Sequence, residues 1–169
     1  MWYVIWTSTS HENKCLAEME ERYSALFDRI FVPQRTLCRK RGPVWVNEDV
    51  ALFPGYLFVD TDEERVEDLA SRLYNNSGFN LVLSTDGKFL PLPDDEAEFI
   101  EFVYNKDGTF DMSTGIIEGD TIRVTGGPLS GLEGNITKIN RHKRIAILEL
   151  TMFGKKTKTE VGLEIIHKK

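Results

Sequence analysis

Two cysteines and three histidines are the side chains of this chain with the potential for nucleophilic catalysis. The thiols are Cys15 and Cys38, and the imidazoles that could act as bases are His11, His142 and His167. Nucleophilic catalysis needs a base and an orienting acid beside the nucleophile, and the sequence shows neither that spacing nor a P-loop or dinucleotide fingerprint. The two cysteines also lack the paired spacing of a metal site. We therefore predict a protein that is not an enzyme and carries no metal or cofactor.

Basic side chains are the second chemical feature, and they are unevenly distributed. The 169-residue chain has a formal net charge of -6, yet residues 113–169 hold 10 Lys and Arg against 6 Asp and Glu. Arg39, Lys40 and Arg41 form a consecutive basic run within the acidic remainder. Clustered cations are typical of nucleic-acid binding, whereas a solvated surface that balances the acidic part is the alternative interpretation.

The segment ALFPGYLFVDTD, residues 51–62, concentrates aromatic side chains around a Pro-Gly pair. Pro54-Gly55 predicts a type II turn in which Gly55 takes a positive φ. Alternation along the following strand places Tyr56 and Phe58 on one face. Rigid aromatic side chains on one face are typical of protein interfaces, so we expect this face to meet a partner. Packing in the core is the alternative.

Hydrophobic periodicity predicts an α+β domain in residues 1–105, with helices that flank a mainly antiparallel sheet. Ser10 is the expected N-cap of the first helix, and the second helix is expected to end at Asn75, Asn76 and Gly78. The predicted strands are 2–6, 29–34, a hairpin over 36–50, 56–60 and 79–84, and the predicted helices are 11–27, 63–78 and 93–105.

The pattern changes in the last third of the chain. Residues 106–115 have weak periodicity and contain turn-forming side chains, so we predict a linker there. Residues 116–169 contain several short β segments and many glycines, which predicts a five-stranded β-barrel. The five predicted strands are 120–125, 134–140, 144–150, 155–161 and 163–167.

The combination of these segments resembles the NusG family of transcription elongation factors. The features that carry the resemblance are the WYV strand at residue 2, the FPGYLFV motif at residue 53 and EGDTIRVTGGPLSGLEGNITKI from residue 118. The resemblance implies an N-terminal NGN domain and a C-terminal KOW domain across essentially the whole chain. The LFPGYLFV form of the motif is similar to specialised paralogues of the RfaH or LoaP type, with LoaP favoured. Glu67-Asp68-Leu69 departs from the polar element of the RfaH type.

The resemblance implies partners for the N-terminal domain. Its aromatic surface would bind the clamp helices of RNA polymerase, and its basic hairpin tip would contact upstream or non-template DNA. For the hairpin tip, an ordinary solvated turn stays open as the alternative. The implied polymerase-binding residues are Trp6, Phe53, Pro54, Tyr56 and Phe58, and the implied DNA-binding residues are Arg39, Lys40 and Arg41.

The resemblance also implies two kinds of partner for the KOW domain. Met152 and Phe153 match the apolar tip that meets ribosomal protein S10 or Rho, although Met152 could instead cap the core. The basic surface would recognise an RNA hairpin, as in factors of the LoaP type. Lys156 and Lys158 share one face of a strand. The implied RNA-binding residues are Lys138, Arg141, His142, Lys143, Arg144, Lys155, Lys156 and Lys158.

The function expected from this sequence is therefore processive antitermination by a factor that rides on RNA polymerase. A general NusG-like role with S10 or Rho is the first alternative, and a ribosome-associated KOW protein is the second. No apolar run of about eighteen residues is present, and the N-terminal apolar segment is too short for a secretory signal. We expect a cytoplasmic monomer that does not bind membranes.

Overall fold

The structure, a computed structural model, describes residues 1–76 and 80–168. Within these residues the chain forms twelve strands and three α-helices. The helices are α1 (Glu12–Arg22), α2 (Glu63–Asn76) and α3 (Asp94–Tyr104). The strands are β1 (Trp2–Trp6), β2 (Arg29–Phe31), β3 (Gln34–Arg41), β4 (Val44–Ala51), β5 (Tyr56–Asp60), β6 (Leu81–Val82), β7 (Thr109–Phe110), β8 (Ser113–Glu118), β9 (Thr121–Gly126), β10 (Ile136–Asn140), β11 (Ile145–Met152) and β12 (Lys155–Lys168).

The chain divides into two compact units. The first comprises Met1–Pro33 and Phe53–Gly108, and the second comprises Gln34–Leu52 and Thr109–Lys169. The β3–β4 hairpin, which we expected within an N-terminal domain, is therefore grouped with the C-terminal part of the chain. No helix among the described residues is long and apolar enough to cross a membrane.

The first unit is built on a four-stranded antiparallel sheet in the order β2-β5-β1-β6. The central strand β5 is buried on both faces, since Leu57, Phe58 and Val59 are all inaccessible. Helix α3 covers one face, where Trp2 packs against Tyr104 with ring centroids 5.7 Å apart. This confirms the predicted α+β arrangement of helices on an antiparallel sheet.

The second unit contains a five-stranded sheet in the order β10-β11-β12-β8-β9. Strand β12 joins its two halves because it pairs with β11 antiparallel and with β8 parallel. The β-rich C-terminal architecture agrees with the prediction, but the strands are not those predicted. Residues 155–161 and 163–167 are one continuous strand, and the additional strand is β8, which begins within the expected linker.

Gly162 explains why one strand was predicted as two. A glycine within an apolar alternation is typical of a break between strands or of a close backbone approach. Here the approach is the reason, because a Cβ at Gly162 would lie 2.6 Å from the backbone oxygen of Thr36 on β3. Strand β12 therefore runs through the glycine without a turn.

The β3–β4 hairpin forms as predicted and adds β7 as a third, parallel strand. Its register pairs Lys40 with Trp45 and Arg41 with Val44 around the Gly42-Pro43 tip. Strand β7 and the first three residues of β8 lie in the segment 106–115 that was expected to be a linker, so half of that segment is part of strands.

Two helix ends differ from the predictions. Helix α1 ends at Arg22, and Ser24–Leu26 form a separate 3-10 turn. Ser10 is not the N-cap; it adopts a φ of +73°, and the cap position is His11. Of the predicted end of α2, Gly78 lies outside the described residues, as does Phe79 at the start of the predicted strand 79–84.

Candidate functional site

The corner before β5 is a type II turn that a buried carboxylate holds in place. The amide of Tyr56 donates to the carbonyl of Phe53 at 3.1 Å, and Gly55 has a φ of +88°. Glu12, at the start of α1, accepts a hydrogen bond from the Gly55 amide at 2.7 Å. A Cβ at Gly55 would lie 3.1 Å from the carbonyl oxygen of Thr7, so the position is suited to glycine in both conformation and space.

A row of apolar side chains crosses three strands beside this corner. Trp6 lies directly opposite Tyr56 on β5 and directly opposite Leu81 on β6. Side chains opposite each other in adjacent strands share one face of the sheet. Trp6 is 39% exposed, and Tyr56 and Leu81 are half-buried. We call Leu81, Trp6 and Tyr56 the apolar row. Leu81 was not singled out from the sequence; its signal was the short apolar strand predicted over residues 79–84.

Two of the predicted aromatic interface residues are not at the surface. Phe58 is 0% exposed and Phe53 is 4% exposed, so the expectation that their rings face a partner is wrong in this structure. Phe53 packs against Phe58 and against Phe99 of α3, with ring centroids 5.9 and 6.3 Å apart. The face shared by Tyr56 and Phe58 is therefore core at the Phe58 end, where α3 covers it, and surface at the Tyr56 end.

The basic hairpin tip divides its charges between two faces. Arg39 and Arg41 both pair with Glu48, at 3.5 and 2.6 Å, on one face of the hairpin. Lys40 points to the other face, which it shares with its cross-strand partner Trp45. We call Arg39, Lys40 and Arg41 the tip cluster.

The turn between β10 and β11 meets this second face of the hairpin. The guanidinium of Arg144 lies over the ring of Trp45, 4.1 Å from its centroid, and approaches Sγ of Cys38 at 3.5 Å. A carboxylate oxygen of Glu164 lies 3.9 Å from the same guanidinium. Arg144, predicted to bind RNA, is thus already engaged by the hairpin. Trp45 was not singled out from the sequence, although it lies within the hairpin predicted over residues 36–50.

Six of the seven remaining predicted RNA-binding residues form two groups. Arg141, His142 and Lys143, which we call the turn cluster, lie at one end of β11. Lys155, Lys156 and Lys158, which we call the strand cluster, lie at its other end. In the sheet register Lys156 is opposite Thr151, six residues or about 20 Å along β11 from the turn. The implied RNA-binding residues are therefore spread along β11: Lys156 is at the far end from the turn, and Lys158, opposite Glu149, is about 13 Å from it.

The strand cluster lies on the outward face of the second sheet. Lys156 and Lys158 both approach the carboxylate of Glu149 at 3.9 Å, so their predicted shared face is confirmed. Lys138, on β10, is opposite Ile147, whose side chain shares that face with Glu149. The ion pairs are long and exposed, so they leave the lysines available to a phosphate.

The predicted KOW tip is a two-residue hairpin turn between β11 and β12. Met152 is 0% exposed, so it belongs to the core, as the alternative interpretation held. Phe153 is half-buried and adopts a φ of +59°, followed by Gly154 at +73°. Two consecutive positive φ values define a type I′ turn, in which Asn or Asp usually occupies the first position. Of the two predicted residues, only Phe153 has a side chain that a partner can contact.

Neither thiol has the environment of a nucleophile. Cys15 and Cys38 are both buried. Burial, with a smaller effect of the nearby Glu18 charge, raises the pKa of the Cys15 thiol to about 12. A reactive cysteine requires a depressed pKa and access to solvent. No group of ligating side chains that could hold a metal ion occurs within residues 1–76 and 80–168.

Both parts of the chain match known family models, and the whole chain is similar to known proteins. Residues 1–101 match the family model described as "Transcription termination factor nusG", and residues 118–149 match the KOW motif. The chain is 29% identical to a "Transcription termination/antitermination protein NusG" of Thermus thermophilus, over 99% of this chain and 97% of the relative. It is 26% identical to the protein of that name from Staphylococcus carnosus, over 99% and 94%.

A solved structure shares the fold. The structure described as "Domain interaction in Thermotoga maritima NusG" superposes with a TM-score of 0.58 at 22% identity, covering 96% of this chain and 92% of that chain. The helix-flanked antiparallel sheet and the β-rich KOW segment that follows it correspond to the two matched models, the first of which describes a transcription factor. The chain belongs to the NusG family.

Proposed function

We propose that this NusG-family protein binds RNA polymerase through the apolar row and promotes processive antitermination in the cytoplasm. The observation that carries the proposal is the exposed end of an otherwise buried aromatic face, where Trp6 and Tyr56 lie side by side. Trp and Tyr are enriched among the residues that dominate binding energy at protein interfaces. The helical clamp of the polymerase is the partner that the family resemblance implies.

The corner beside the row supports this proposal physically. Glu12 and the close approach at Gly55 fix the backbone on which Tyr56 stands. Rigid positioning lowers the entropy that an interface loses on binding. Pro54 is exposed next to the row and extends it. A surface built in this way is ready to dock without reorganisation.

For the KOW part, we infer that the outward cations bind an RNA hairpin, as the similarity to the LoaP type suggests. Lys138, Lys156 and Lys158 share one face of the second sheet. RNA helices are recognised largely through phosphate and sugar contacts, for which lysines on a sheet surface are suited. Such binding would tether the factor to a particular nascent transcript.

A second candidate function is a general NusG-like role in which the KOW tip binds ribosomal protein S10 or Rho. The observation that favours it is Phe153, whose half-buried side chain lies at the tip. Its own backbone φ of +59° is strained for a residue other than glycine. Strain at a non-glycine residue is commonly retained at sites of binding. Both functions share the polymerase contact and differ only in the KOW partner.

Polymerase binding is tested by pull-down of core enzyme with the variant Trp6→Ala/Tyr56→Ala. We expect at least a tenfold loss of affinity, which corresponds to about 1.4 kcal/mol. Tyr74→Ala is the matched control, since Tyr74 is 72% exposed on α2, outside the row. Unchanged pull-down by the double variant, with an intact circular dichroism spectrum, would remove the row from the interface.

The KOW partner is tested separately with the full chain. We expect Lys156→Ala/Lys158→Ala to weaken binding to a leader hairpin and to lower the steepness of its salt dependence, because two phosphate contacts are lost. Equal affinity for a hairpin and for a scrambled RNA would rule out hairpin recognition. Retention of S10 or Rho in the pull-down, and its loss in Phe153→Ala, would then favour the general role.

A further inference from the structure

The tip cluster and the turn cluster, which are about 100 residues apart in the chain, line one cleft within the second unit. The cleft has a volume of about 710 Å³ and is formed by the hairpin on one side and the β10–β11 turn on the other. This is within the size range of sites that take a small ligand or a short part of a polymer. The cations that line it are Arg39, Lys40, Arg41 and Lys143, and the imidazole of His142 lies beside them.

Three contacts hold the two sides of the cleft together. Arg144 stacks on Trp45 and approaches Cys38, although its own φ of +55° lies in the left-handed region. Gly162 allows the backbone of β3 to approach β12 closely. Arg35 of β3 donates to the hydroxyl of Thr159 at 3.0 Å. The cleft is therefore part of the packed structure of this unit.

The charge of the cleft is not balanced by the protein. Glu160 is the carboxylate that lines it, and Glu48 neutralises the arginines on the far side of the hairpin. Among the described residues no carboxylate pairs with the ammonium of Lys40 or of Lys143. Like charges gathered around a cleft repel one another in the free protein, and a bound anion relieves that repulsion.

Trp45 adds a planar apolar surface to the cationic cleft. Its ring is half-buried, and the Arg144 guanidinium on it supplies a second planar group. Bases of single-stranded nucleic acids stack on aromatic rings and on arginine planes, while lysines follow the phosphates. Bases inside a duplex are already stacked and are not offered to such a cleft.

We propose that the cleft between the hairpin tip and the β10–β11 turn binds a single-stranded segment of nucleic acid, with phosphates at Lys40 and Lys143 and a base against Trp45. The proposal rests on the proposed role in transcription and deepens it, because it joins residues first assigned to DNA and to RNA into one site. Lys156 and Lys158, which are proposed to bind a hairpin, lie about 20 and 13 Å along β11 from the turn and are not among the residues that line the cleft.

The test measures fluorescence anisotropy of the full chain with unstructured oligonucleotides of about ten nucleotides. One arm uses oligouridine and the other uses oligothymidine, so that RNA and DNA sources are distinguished. We expect Lys40→Ala/Lys143→Ala to weaken binding about tenfold and to reduce the log–log salt slope by about 1.4, the value for two contacts with a single strand. Lys14→Ala/Lys88→Ala removes the same charge from exposed sites outside the cleft and should leave binding within about twofold.

A second readout places the ligand against Trp45. Stacking of a base on the indole should quench part of the protein's tryptophan fluorescence, and Trp45→Phe should remove that part while it keeps a ring for Arg144. If the cleft variant and its charge-matched control lose affinity equally, or if quenching persists in Trp45→Phe, the proposal is overturned. Duplex RNA that binds as tightly as the single strand, with the same sensitivity to the cleft variant, would also overturn it.

The outcome is separable from that of the proposed function. Pull-down of polymerase depends on the apolar row, and hairpin binding depends on Lys156 and Lys158. Failure of the cleft would leave both intact, whereas failure of the proposed function would appear in those two assays while the oligonucleotide result stands.

Discussion

At the scale of single residues, backbone conformation and burial distinguish adjacent residues of the same chemical type. Phe153 and Met152 are adjacent apolar residues before a glycine, yet one is at a strained surface turn and the other is in the core. Lys40 and Arg41 are adjacent cations, yet they point to opposite faces of a hairpin. Both thiols are buried, so neither is accessible for nucleophilic chemistry.

The strain at Phe153 can be measured by two substitutions that both remove the ring. Asparagine tolerates the left-handed region better than alanine does, because its side chain hydrogen-bonds locally. We expect Phe153→Asn to be about 1 kcal/mol more stable to urea than Phe153→Ala. Equal urea midpoints for the two variants would show that the turn carries no strain of this kind.

The buried thiol of Cys15 predicts a loss of stability at alkaline pH. Its pKa is raised from 9.0 to about 12 in the folded protein, so between these values the unfolded chain loses a proton that the folded chain keeps. This contribution is fully present below pH 9 and is lost as pH rises toward 12. We expect the urea midpoint of Cys15→Ala to fall less between about pH 8.5 and 10.5 than that of the parent. Parallel curves for the two proteins would contradict the assignment.

At the scale of elements, the corner before β5 shows how one helix positions another segment. The first turn of α1 brings Glu12 under the Pro54-Gly55 turn, where it accepts from Gly55 and, at 3.2 Å, from the amide of Ser10. The positive φ of Ser10 is part of the same arrangement. The carboxylate of Glu12 thus connects the start of α1 to the Pro54-Gly55 turn, which precedes the exposed end of β5.

Removing the carboxylate of Glu12 should lower the stability of the corner before β5. Glu12→Ala leaves the buried Gly55 amide without an acceptor, which typically costs about 1–3 kcal/mol. Glu12→Gln retains a carbonyl acceptor and should recover most of that stability. Thermal and urea unfolding of both variants decide the matter, and equal losses would mean that the hydrogen bond to Gly55 is not the reason. We also expect Glu12→Ala to weaken polymerase pull-down more than Glu12→Gln does.

At the scale of the whole molecule, the second unit depends on residues that precede the KOW motif. Strand β8 begins at Ser113, which is fully buried and whose hydroxyl accepts a hydrogen bond from the amide of Leu129 at 3.0 Å. Ser113 also pairs with Leu163 on β12. The boundary expected at residue 116 therefore cuts through the sheet.

This predicts a difference between two fragments. A fragment of residues 116–169 lacks the paired start of β8, whereas 109–169 retains it. We expect the shorter fragment to be less stable by about 2 kcal/mol or more, since several net hydrogen bonds and a buried contact are lost. Melting followed by circular dichroism tests this, with the full chain as reference. A shorter fragment that melts at the same temperature as the longer one would refute it.

Local patterns in the sequence determined the elements and the turns. Periodicity gave the three helices and most strands, the Pro54-Gly55 pair predicted a type II turn, and the basic hairpin formed at Gly42-Pro43. These features depend on residues within a few positions of one another, so the sequence expresses them directly. The FPGYLFV motif and the KOW segment also sufficed to indicate the family.

Only the tertiary structure decided which surfaces these elements present. Alternation along β5 cannot tell whether one face or both are covered, and α3 buries Phe58 while Tyr56 stays at the edge. Nothing local at Gly162 distinguishes a break from the close passage of β3. The meeting of the hairpin tip with the β10–β11 turn joins residues about 100 positions apart. Such contacts are set by long-range packing, because the cost of closing a long loop is repaid only by the whole assembled core.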